Sequence, residues 1–397
     1  MTMNKPKKVI LVCGGDGYIG WPLSIKLALT YPDYEIIIAD NFSRRKQIDS
    51  LGYDSLMPIS SLKERITGVK KHFNSDNITH FNIDVSSEQI SDLVSLKKPA
   101  IVYHLAQQAS APYSMMDSEK AAFTLYNNEM SNMRIIWAIR NSCPESHLIK
   151  LGSFGEYAMG GIDVSEGDFK PQYKGKIADL PLPYPRRSDD FYHVSKINDS
   201  NYLSVAVRKW GLKVTEIMQS TIFGSHIDET IDIPELYTRY DYDECFGTVL
   251  NRFIVQAIVD EPLTIYGTGY QRTGLMALVD SVNSLAKIPK HIIKSGEHRI
   301  INHVTESNFS INEIAEIVVE ICAERGIKVK YSKAGHDPRG ENLKAKMTYN
   351  IENQYLKENF SPTPIEDVIS KTIDLILPLK SKINRDIILP TRSWLNL

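Results

Sequence analysis

Short apolar runs of β-strand length recur along the first half of the chain. They lie at residues 8–13, 35–39, 78–85, 100–105, 147–152 and 213–218, and longer segments with helical spacing separate most of them. Runs that are apolar throughout, rather than alternating with polar residues, indicate parallel strands that are covered on both faces. The pattern therefore predicts an α/β fold built on a doubly wound parallel sheet of the Rossmann type.

The pattern changes after residue 218. Gly, Pro and acidic residues cluster at 224–244, and short strands are expected at 263–266 and 299–304. Ser310 and Glu313 form a capping box ahead of an apolar helix over 311–325. We expect residues 1–223 to form the sheet domain, with an ordered helical excursion at about 42–73. Residues 224–397 should form mainly a smaller α+β lobe, with some segments returning to the sheet domain.

Composition narrows the classes of partner. The 397 residues carry a net charge of −2, without a run of lysine or arginine that could bind phosphodiester backbone. Nucleic acid is therefore not expected as a partner. No apolar run approaches the roughly 18 residues that a membrane-spanning helix needs, and the four cysteines show no metal-ligand spacing. We expect a cytoplasmic protein with no membrane anchor and no metal site.

A glycine loop follows the first predicted strand. Gly14, Gly17 and Gly20 are spaced as G-x-x-G-x-x-G between that strand and a helix. Glycine permits a tight turn and lets backbone N–H groups approach a pyrophosphate at the positive end of the helix. Asp40 closes the second strand twenty residues after Gly20, where a carboxylate can accept hydrogen bonds from both adenosine ribose hydroxyls. These features predict a dinucleotide site.

The same carboxylate would repel a 2′-phosphate, so we expect NAD rather than NADP. Arg44 and Arg45 leave NADP open as an alternative, because arginines just after this strand could bind such a phosphate. In the other interpretation they are solvated or contact the adenine edge. Asp40 favours the second interpretation. The predicted cofactor contacts come from the loop, the strand ends and the following helices: Gly14, Gly17, Tyr18, Ile19, Gly20, Asp40, Asn41, Arg44, Asp84, Val85, Leu105, Ala106, Gln107, Asn128, Tyr192 and Lys196.

Ser153, Tyr192 and Lys196 form the predicted catalytic set. Tyr192 and Lys196 would share one face of a helix, and Ser153 ends the fifth predicted strand. A free tyrosine has a pKa of about 10, but a lysine ammonium and an oxidised nicotinamide both favour its phenolate. Tyr192 could then take a hydroxyl proton while hydride leaves to NAD, with Ser153 orienting the oxygen. His193 either moves a second proton or is held by local hydrogen bonds.

These motifs resemble the extended branch of the short-chain dehydrogenase/reductase superfamily, the nucleotide-sugar epimerases and dehydratases. Within it, the chain is most similar to the UDP-sulfoquinovose synthases. Besides the glycine loop with Trp21, the similarity is carried by Ser110 to Met115, Gly155-Glu156-Tyr157, Phe191 to His193 with Ser195 and Lys196, Asp241 to Asp243, Phe246 to Thr248, Leu250 to Phe253 and a terminal Ser393-Trp394.

The resemblance implies that UDP-glucose and sulfite are converted to UDP-sulfoquinovose and water, by transient oxidation at C4, a 4-keto-5-ene and sulfite addition at C6. Ordinary 4,6-dehydratases carry Asp-Glu directly after the catalytic Ser or Thr, where this chain has Phe154 and Gly155. A UDP-hexose 4-epimerase or a 4,6-dehydratase is the nearest alternative. A non-catalytic NAD-binding sensor or interaction protein is the alternative from another class.

The resemblance also implies substrate contacts and an assembly. Ser153 and Tyr192 should contact the sugar, and Arg339 resembles a late arginine that clamps the UDP pyrophosphate. Gln219, Thr248 and Arg252 are further substrate candidates, Arg252 alternatively being a helix-surface residue. The predicted helices over 118–140 and 192–210 correspond to those that pair subunits in the family, so we expect a homodimer.

Overall fold

The computed structural model describes residues 7–157, 162–272, 274–305, 309–334 and 351–389. Arg339 and the terminal Ser393-Trp394 therefore lie outside the described residues. The helices are α1 (Gly20–Thr30), α2 (Ser43–Ser50), α3 (Leu62–Phe73), α4 (Gln89–Lys97), α5 (Ala111–Ser114), α6 (Ser118–Ser142), α7 (Phe191–Trp210), α8 (Val249–Ile258), α9 (Leu278–Lys287), α10 (Ile311–Glu324), α11 (Gln354–Asn359) and α12 (Ile365–Ile376).

Seven parallel strands form the main sheet, and the predicted α/β fold is confirmed. In spatial order they are β12 (His298–His303), β8 (Lys213–Gln219), β5 (His147–Leu151), β4 (Ile101–His104), β1 (Lys8–Cys13), β2 (Tyr34–Asp40) and β3 (Ile78–Asn82). The remaining strands form pairs: β6 (Gln172–Tyr173) with β7 (Lys176–Ile177), β9 (Thr221–Phe223) with β11 (Leu275–Ala277), and β10 (Leu263–Tyr266) with β13 (Tyr331–Ala334). The run at 299–304, expected as a short strand of the second half, thus extends the main sheet.

Alternate residues of β1 enter two different cores. Ile10 and Val12 pack in the cluster that contains Trp21 of α1, whereas Val9 and Leu11 pack in the cluster on the opposite face of the sheet. This division follows from the period of two along a strand, and it explains why the strand is apolar throughout. Helices therefore cover both faces of the sheet.

A further core lies in the second half of the chain, where apolar faces of α8, α9, α10 and α12 pack together. The predicted capping box is present at the start of α10, where Ser310 Oγ accepts a hydrogen bond from Glu313 N and the Glu313 carboxylate accepts one from Ser310 N. Within the described ranges, no helix is both long and apolar enough to cross a bilayer.

Candidate active site

A cavity of about 1070 Å³ extends along the carboxyl ends of the central strands and is lined by residues from both halves of the chain. It collects most of the predicted site: Gly14, Gly17, Tyr18, Ile19, Gly20, Asp40, Asn41, Arg44, Asp84, Val85, Leu105, Ala106, Gln107, Ser153, Tyr192, His193, Lys196, Gln219, Thr248 and Arg252. Ligands of open α/β sheets bind at this edge.

The glycine loop is shaped by contacts that a side chain would block. Gly14 has a φ of +85°, and a Cβ added there would lie 2.7 Å from Ala106 N. A Cβ on Gly20 would lie 2.0 Å from the carbonyl oxygen of Gly14. Helix α1 begins at Gly20, and Ile19 supplies no side-chain cap to its first N–H groups. The loop therefore fits a pyrophosphate, which those N–H groups and the helix dipole would bind.

Asp40 lies at the end of β2, beside this loop. Its Oδ2 accepts a hydrogen bond of 2.8 Å from Asp16 N, and its Oδ1 accepts one of 2.8 Å from Phe42 N. Burial raises the pKa of Asp40 to about 6. Each carboxylate oxygen has a second lone pair, so Asp40 can still accept hydrogen bonds from ribose hydroxyls. The residues present thus fit the adenosine half of NAD.

The two arginines that follow β2 are partly exposed, and each pairs with a carboxylate. Arg45 donates to both oxygens of Asp16 at 2.7 and 2.9 Å, and the buried Arg65 of α3 pairs with the same carboxylate. Arg44 pairs with Asp241 at 2.8 Å. Asp16 thus attaches the segment that carries α2 and α3 to the glycine loop, a role that the sequence interpretation missed.

Residues from the second half of the chain lie over the dinucleotide end of the cavity. Arg44 stacks on the ring of Phe246 with its guanidinium carbon 3.3 Å from the ring centroid. Thr238 Oγ1 donates to Tyr18 O at 2.9 Å, and the Tyr18 hydroxyl donates to Gly224 O. These contacts join the two halves of the chain across the predicted cofactor site.

Two of the other predicted cofactor residues have structural partners. Asn128 lies behind the loop that follows β4, because its side chain bonds Gln108 N at 2.8 Å, Gln108 O at 3.0 Å and Ser195 Oγ at 3.0 Å. It does not line the cavity. Asp84 lines the cavity two residues beyond β3, and its Oδ1 accepts hydrogen bonds from Ser86 N and Oγ.

The catalytic set meets at the other end of the cavity. Ser153 follows β5, and its side chain hydrogen-bonds Tyr192 of α7. Lys196, one turn later, donates to Leu151 O at 2.8 Å and to Gln107 Oε1. Its Nζ lies 5.6 Å from the centroid of the Tyr192 ring. The structure thus brings together the three side chains that the sequence predicts.

Burial opposes ionisation of both Tyr192 and Lys196. Burial, with Glu156 nearby, raises the pKa of Tyr192 above its usual range, while the hydrogen bond with Ser153 acts in the other direction. Burial and the neighbouring Lys150 lower the pKa of Lys196 to about 7. Tyr192 therefore stays protonated in the protein alone, and the positive charge of an oxidised nicotinamide would favour its phenolate.

His193 is held in a fixed orientation beside Tyr192. Asp190 caps α7, accepting from His193 N at 2.8 Å through Oδ1 and contacting His193 Nδ1 at 2.6 Å through Oδ2. Burial raises the pKa of Asp190, but the hydrogen bonds and charge of His193, together with a hydrogen bond from Ser188, outweigh it, so the net shift is downward. The ring centroids of His193 and Tyr192 are 4.6 Å apart. Asp190 was not predicted, although an Asp three residues before a His at a helix start is a recognisable signal.

The substrate candidates differ in what they can offer. Thr248 lines the cavity, and its buried hydroxyl has no hydrogen-bond partner among the described residues. Gln219 Oε1 already bonds His303 Nδ1 at 2.8 Å and Ser281 Oγ at 3.0 Å. Gln271, which the sequence interpretation did not select as a site residue, also lines the cavity, and its buried Oε1 has no hydrogen-bond partner in the described part of the chain.

A buried ionic network lies beneath the catalytic set, and the sequence interpretation did not anticipate it. Lys150 Nζ lies 3.1 Å from Asp199 and 3.9 Å from Glu216. Arg186 pairs with Glu156 at 2.7 Å. Across the parts of the chain that the structure describes, no group of three or more His, Cys, Asp or Glu side chains is placed to hold a metal ion.

Comparison with known proteins gives consistent results. The model of the NAD dependent epimerase/dehydratase family matches residues 10–302. UDP-sulfoquinovose synthase of Sulfolobus acidocaldarius is 35% identical over 390 residues, covering 97% of each chain. The chloroplastic UDP-sulfoquinovose synthase of Spinacia oleracea is 34% identical over 396 residues, covering 98% of this chain and 79% of its own. The fold is similar to that of UDP-glucuronic acid 4-epimerase from Bacillus cereus, solved with UDP-glucuronic acid and NAD, with a TM-score of 0.65 at 18% identity over 94% of this chain and 99% of the other.

Proposed function

The chain belongs to the NAD-dependent epimerase/dehydratase family, and from that premise we propose that it is a UDP-sulfoquinovose synthase. The reaction replaces the 6-hydroxyl of UDP-glucose by a sulfonate: UDP-glucose and hydrogen sulfite give UDP-sulfoquinovose and water. Two relatives that carry this name match nearly the whole chain at 35% and 34% identity. One cavity of about 1070 Å³ is lined both by the glycine loop and by the catalytic set.

The first half of the reaction uses the catalytic set. The chemistry that bound NAD supplies is reversible removal of hydride from C4 of the sugar. Tyr192 takes the proton of the C4 hydroxyl, and Ser153 orients that oxygen. Lys196 is held by Leu151 O and Gln107 behind the tyrosine, where its ammonium favours the phenolate. A 4-keto group then acidifies the hydrogen on C5.

The Asp190–His193 pair is the observation that carries the proposal. Oxidation and reduction at C4 need one proton-transfer group, which Tyr192 provides. Loss of water across C5 and C6 needs another. Asp190 fixes His193 beside Tyr192 with Nδ1 engaged, and Nε2 makes no hydrogen bond within the described residues. We assign His193 to take the C5 proton and deliver it to the departing 6-hydroxyl. The proton of hydrogen sulfite then returns to C5 as sulfur bonds C6.

Positions 154 and 155 disfavour the dehydratase alternative. Phe154 and Gly155 follow Ser153 in a short 3-10 turn, and neither has a side chain that can transfer a proton. A 4-epimerase remains the nearest rival on this scaffold, and it requires no sulfite. Sulfite dependence of the product therefore separates the two activities.

Product analysis tests the proposal directly. Purified protein would be incubated with UDP-glucose, with and without sulfite and without added NAD, and the UDP-sugars identified by mass spectrometry. A sulfonated UDP-hexose that requires sulfite is expected. Tyr192→Phe should abolish the product, while Tyr126→Phe, on an exposed tyrosine of α6, should leave it unchanged. UDP-galactose or a 4-keto-6-deoxy sugar formed regardless of sulfite would overturn the assignment.

We further infer that NAD, rather than NADP, is the resident cofactor. Asp40 stands where a 2′-phosphate would approach, and Arg44 and Arg45 are engaged by Asp241 and Asp16. The cofactor is regenerated in each cycle and should remain bound during purification. Dinucleotide released by denaturing the protein should be NAD, and recovery of NADP would contradict this inference.

We also propose a homodimer formed through α6 and α7. Phe123, Tyr126, Met130, Met133 and Trp137 recur at heptad-like spacing along α6 on exposed or half-buried positions, and Phe191 and Val205 are exposed on α7. Such a stripe supports helix pairing with a second copy. Tyr126→Asp should convert a dimeric mass in solution to a monomeric one, whereas Tyr173→Asp, at an exposed tyrosine of β6, should not.

A further inference from the structure

Gly155 makes an unusually close approach to the imidazole of His193. A Cβ added to Gly155 would lie 2.2 Å from His193 Nε2, 2.6 Å from Cδ2 and 2.8 Å from Cε1. Gly155 does not have a positive φ, so its backbone conformation is open to any residue. The ring of His193, rather than the backbone conformation, is thus the reason that this position requires glycine.

The ring has little freedom to move away. Its Nδ1 is held by Asp190 at 2.6 Å, and the ring lies against Tyr192, with ring centroids 4.6 Å apart and ring planes tilted by 58°. Asp190 is itself fixed as the cap of α7 by the hydrogen bond from His193 N. A side chain at position 155 would therefore displace the imidazole and break its hydrogen bond to Asp190, while the backbone of the 3-10 turn could remain in place.

We propose that Gly155 is a specificity-determining position: the space above its Cα is reserved for the imidazole of His193, which directs the 4-ketosugar to proton transfer at C5. This inference rests on the proposed function, and it assigns Gly155 a positioning role that acts through His193. The same geometry means that a carboxylate side chain at position 155, as ordinary dehydratases have it, and an imidazole at position 193 exclude each other. One chain can carry one acid–base arrangement or the other.

Gly155→Ala tests the proposal, because it adds only the Cβ. The variant should keep its bound dinucleotide and should still reduce nicotinamide on addition of UDP-glucose, since Ser153 and Tyr192 are not displaced. Incorporation of solvent deuterium at C5 and formation of the sulfonated product should both fall by about 100-fold or more, the usual contribution of a positioned acid–base group. The unfolding midpoint should remain close to that of the wild type.

A double-mutant comparison distinguishes positioning from a general structural effect. If Gly155 acts through the imidazole, Gly155→Ala should cause no further loss of C5 exchange in a His193→Ala background. Full C5 exchange in Gly155→Ala, or an additional loss in the double variant, would overturn the inference. A wild-type protein that exchanges C5 hydrogen without making a sulfonated sugar would refute the proposed function and leave this inference standing. Wild-type protein without C5 exchange would refute both.

Discussion

Arg186→Met tests the buried ionic network beneath the catalytic set. Arg186 Nη1 contacts Glu156 Oε2 at 2.7 Å, and the two side chains are only 8% and 0% exposed. The other oxygen of Glu156 accepts from Ser153 N at 2.8 Å, so one carboxylate joins the catalytic serine to the segment that leads into α7. Burial raises the pKa of Glu156, and Arg186 is the main group acting against that shift.

Removing Arg186 should be costly because it leaves a buried carboxylate without its cation. Glu216 is close by and already meets Lys150 at 3.9 Å, so the orphaned Glu156 would also face a like charge. Breaking a buried ion pair from one side costs about 3–5 kcal/mol. At low pH Glu156 can take up a proton, which removes the buried charge and limits this cost. Each unit by which the pKa of Glu156 is raised corresponds to about 1.4 kcal/mol. The loss of stability should therefore be smaller at pH 5 than at pH 8.

The assay is urea unfolding of four proteins: the wild type, Arg186→Met, Glu156→Gln and the double variant. The double variant should be less destabilised than the sum of the single changes by about 0.5–3 kcal/mol, the range for residues in contact. Arg187→Met is the matched control, since Arg187 is 79% exposed and lies 3.6 Å from Asp189. If Arg186→Met destabilised the protein no more than Arg187→Met, the account of the network would be wrong.

Four further substitutions probe the loop, the lysine and the helix cap. Gly20→Ala should abolish retention of dinucleotide, because the added Cβ would lie 2.0 Å from Gly14 O. Gly17→Ala should only weaken retention, because its Cβ would lie 3.2 Å from the same oxygen. The amount of NAD released from each purified variant measures both effects. Burial lowers the pKa of Lys196 to about 7, against about 10.4 for free lysine. Between these two pH values the unfolded chain binds more protons than the folded protein, so the stability of the fold rises with pH. Lys196→Met should flatten that rise, which unfolding midpoints measured across this pH range would show. The pKa of Asp190 is lowered in the folded protein, so the stabilising effect of its carboxylate is present above about pH 4 and is lost as the pH falls through the folded pKa. The Asp190→Asn variant should therefore lose less stability in acid than the wild type does.

The sheet and the catalytic set were accessible from sequence because their signals are local. The strands β1, β2 and β5 are mainly apolar, and the glycine loop, like the Tyr192 and Lys196 pair, lies within a few adjacent residues. Because each strand is buried on both faces of the sheet, its apolar residues can be recognised in the sequence without knowledge of the neighbouring strands. The same reasoning placed Ser153 at the end of β5, next to Tyr192.

The remaining contacts depend on pairs that are distant in sequence. Arg44 meets Asp241, which is 197 residues away, and Arg65 meets Asp16, which is 49 residues away. No local pattern selects such partners among the many charged residues of the chain. Lys150 is a further case, because a lysine within an apolar strand gives no indication of its buried carboxylate partners before the fold is known.

The central claim is that the protein oxidises UDP-glucose at C4 only transiently, in order to place sulfur on C6. Its most direct test is the reaction of UDP-glucose with sulfite in heavy water, followed by magnetic resonance of the isolated UDP-sugar. The account predicts a sulfonate on C6, solvent deuterium at C5 and the original hydrogen at C4. Deuterium at C4, or a product whose C6 hydroxyl survives in the presence of sulfite, would contradict it.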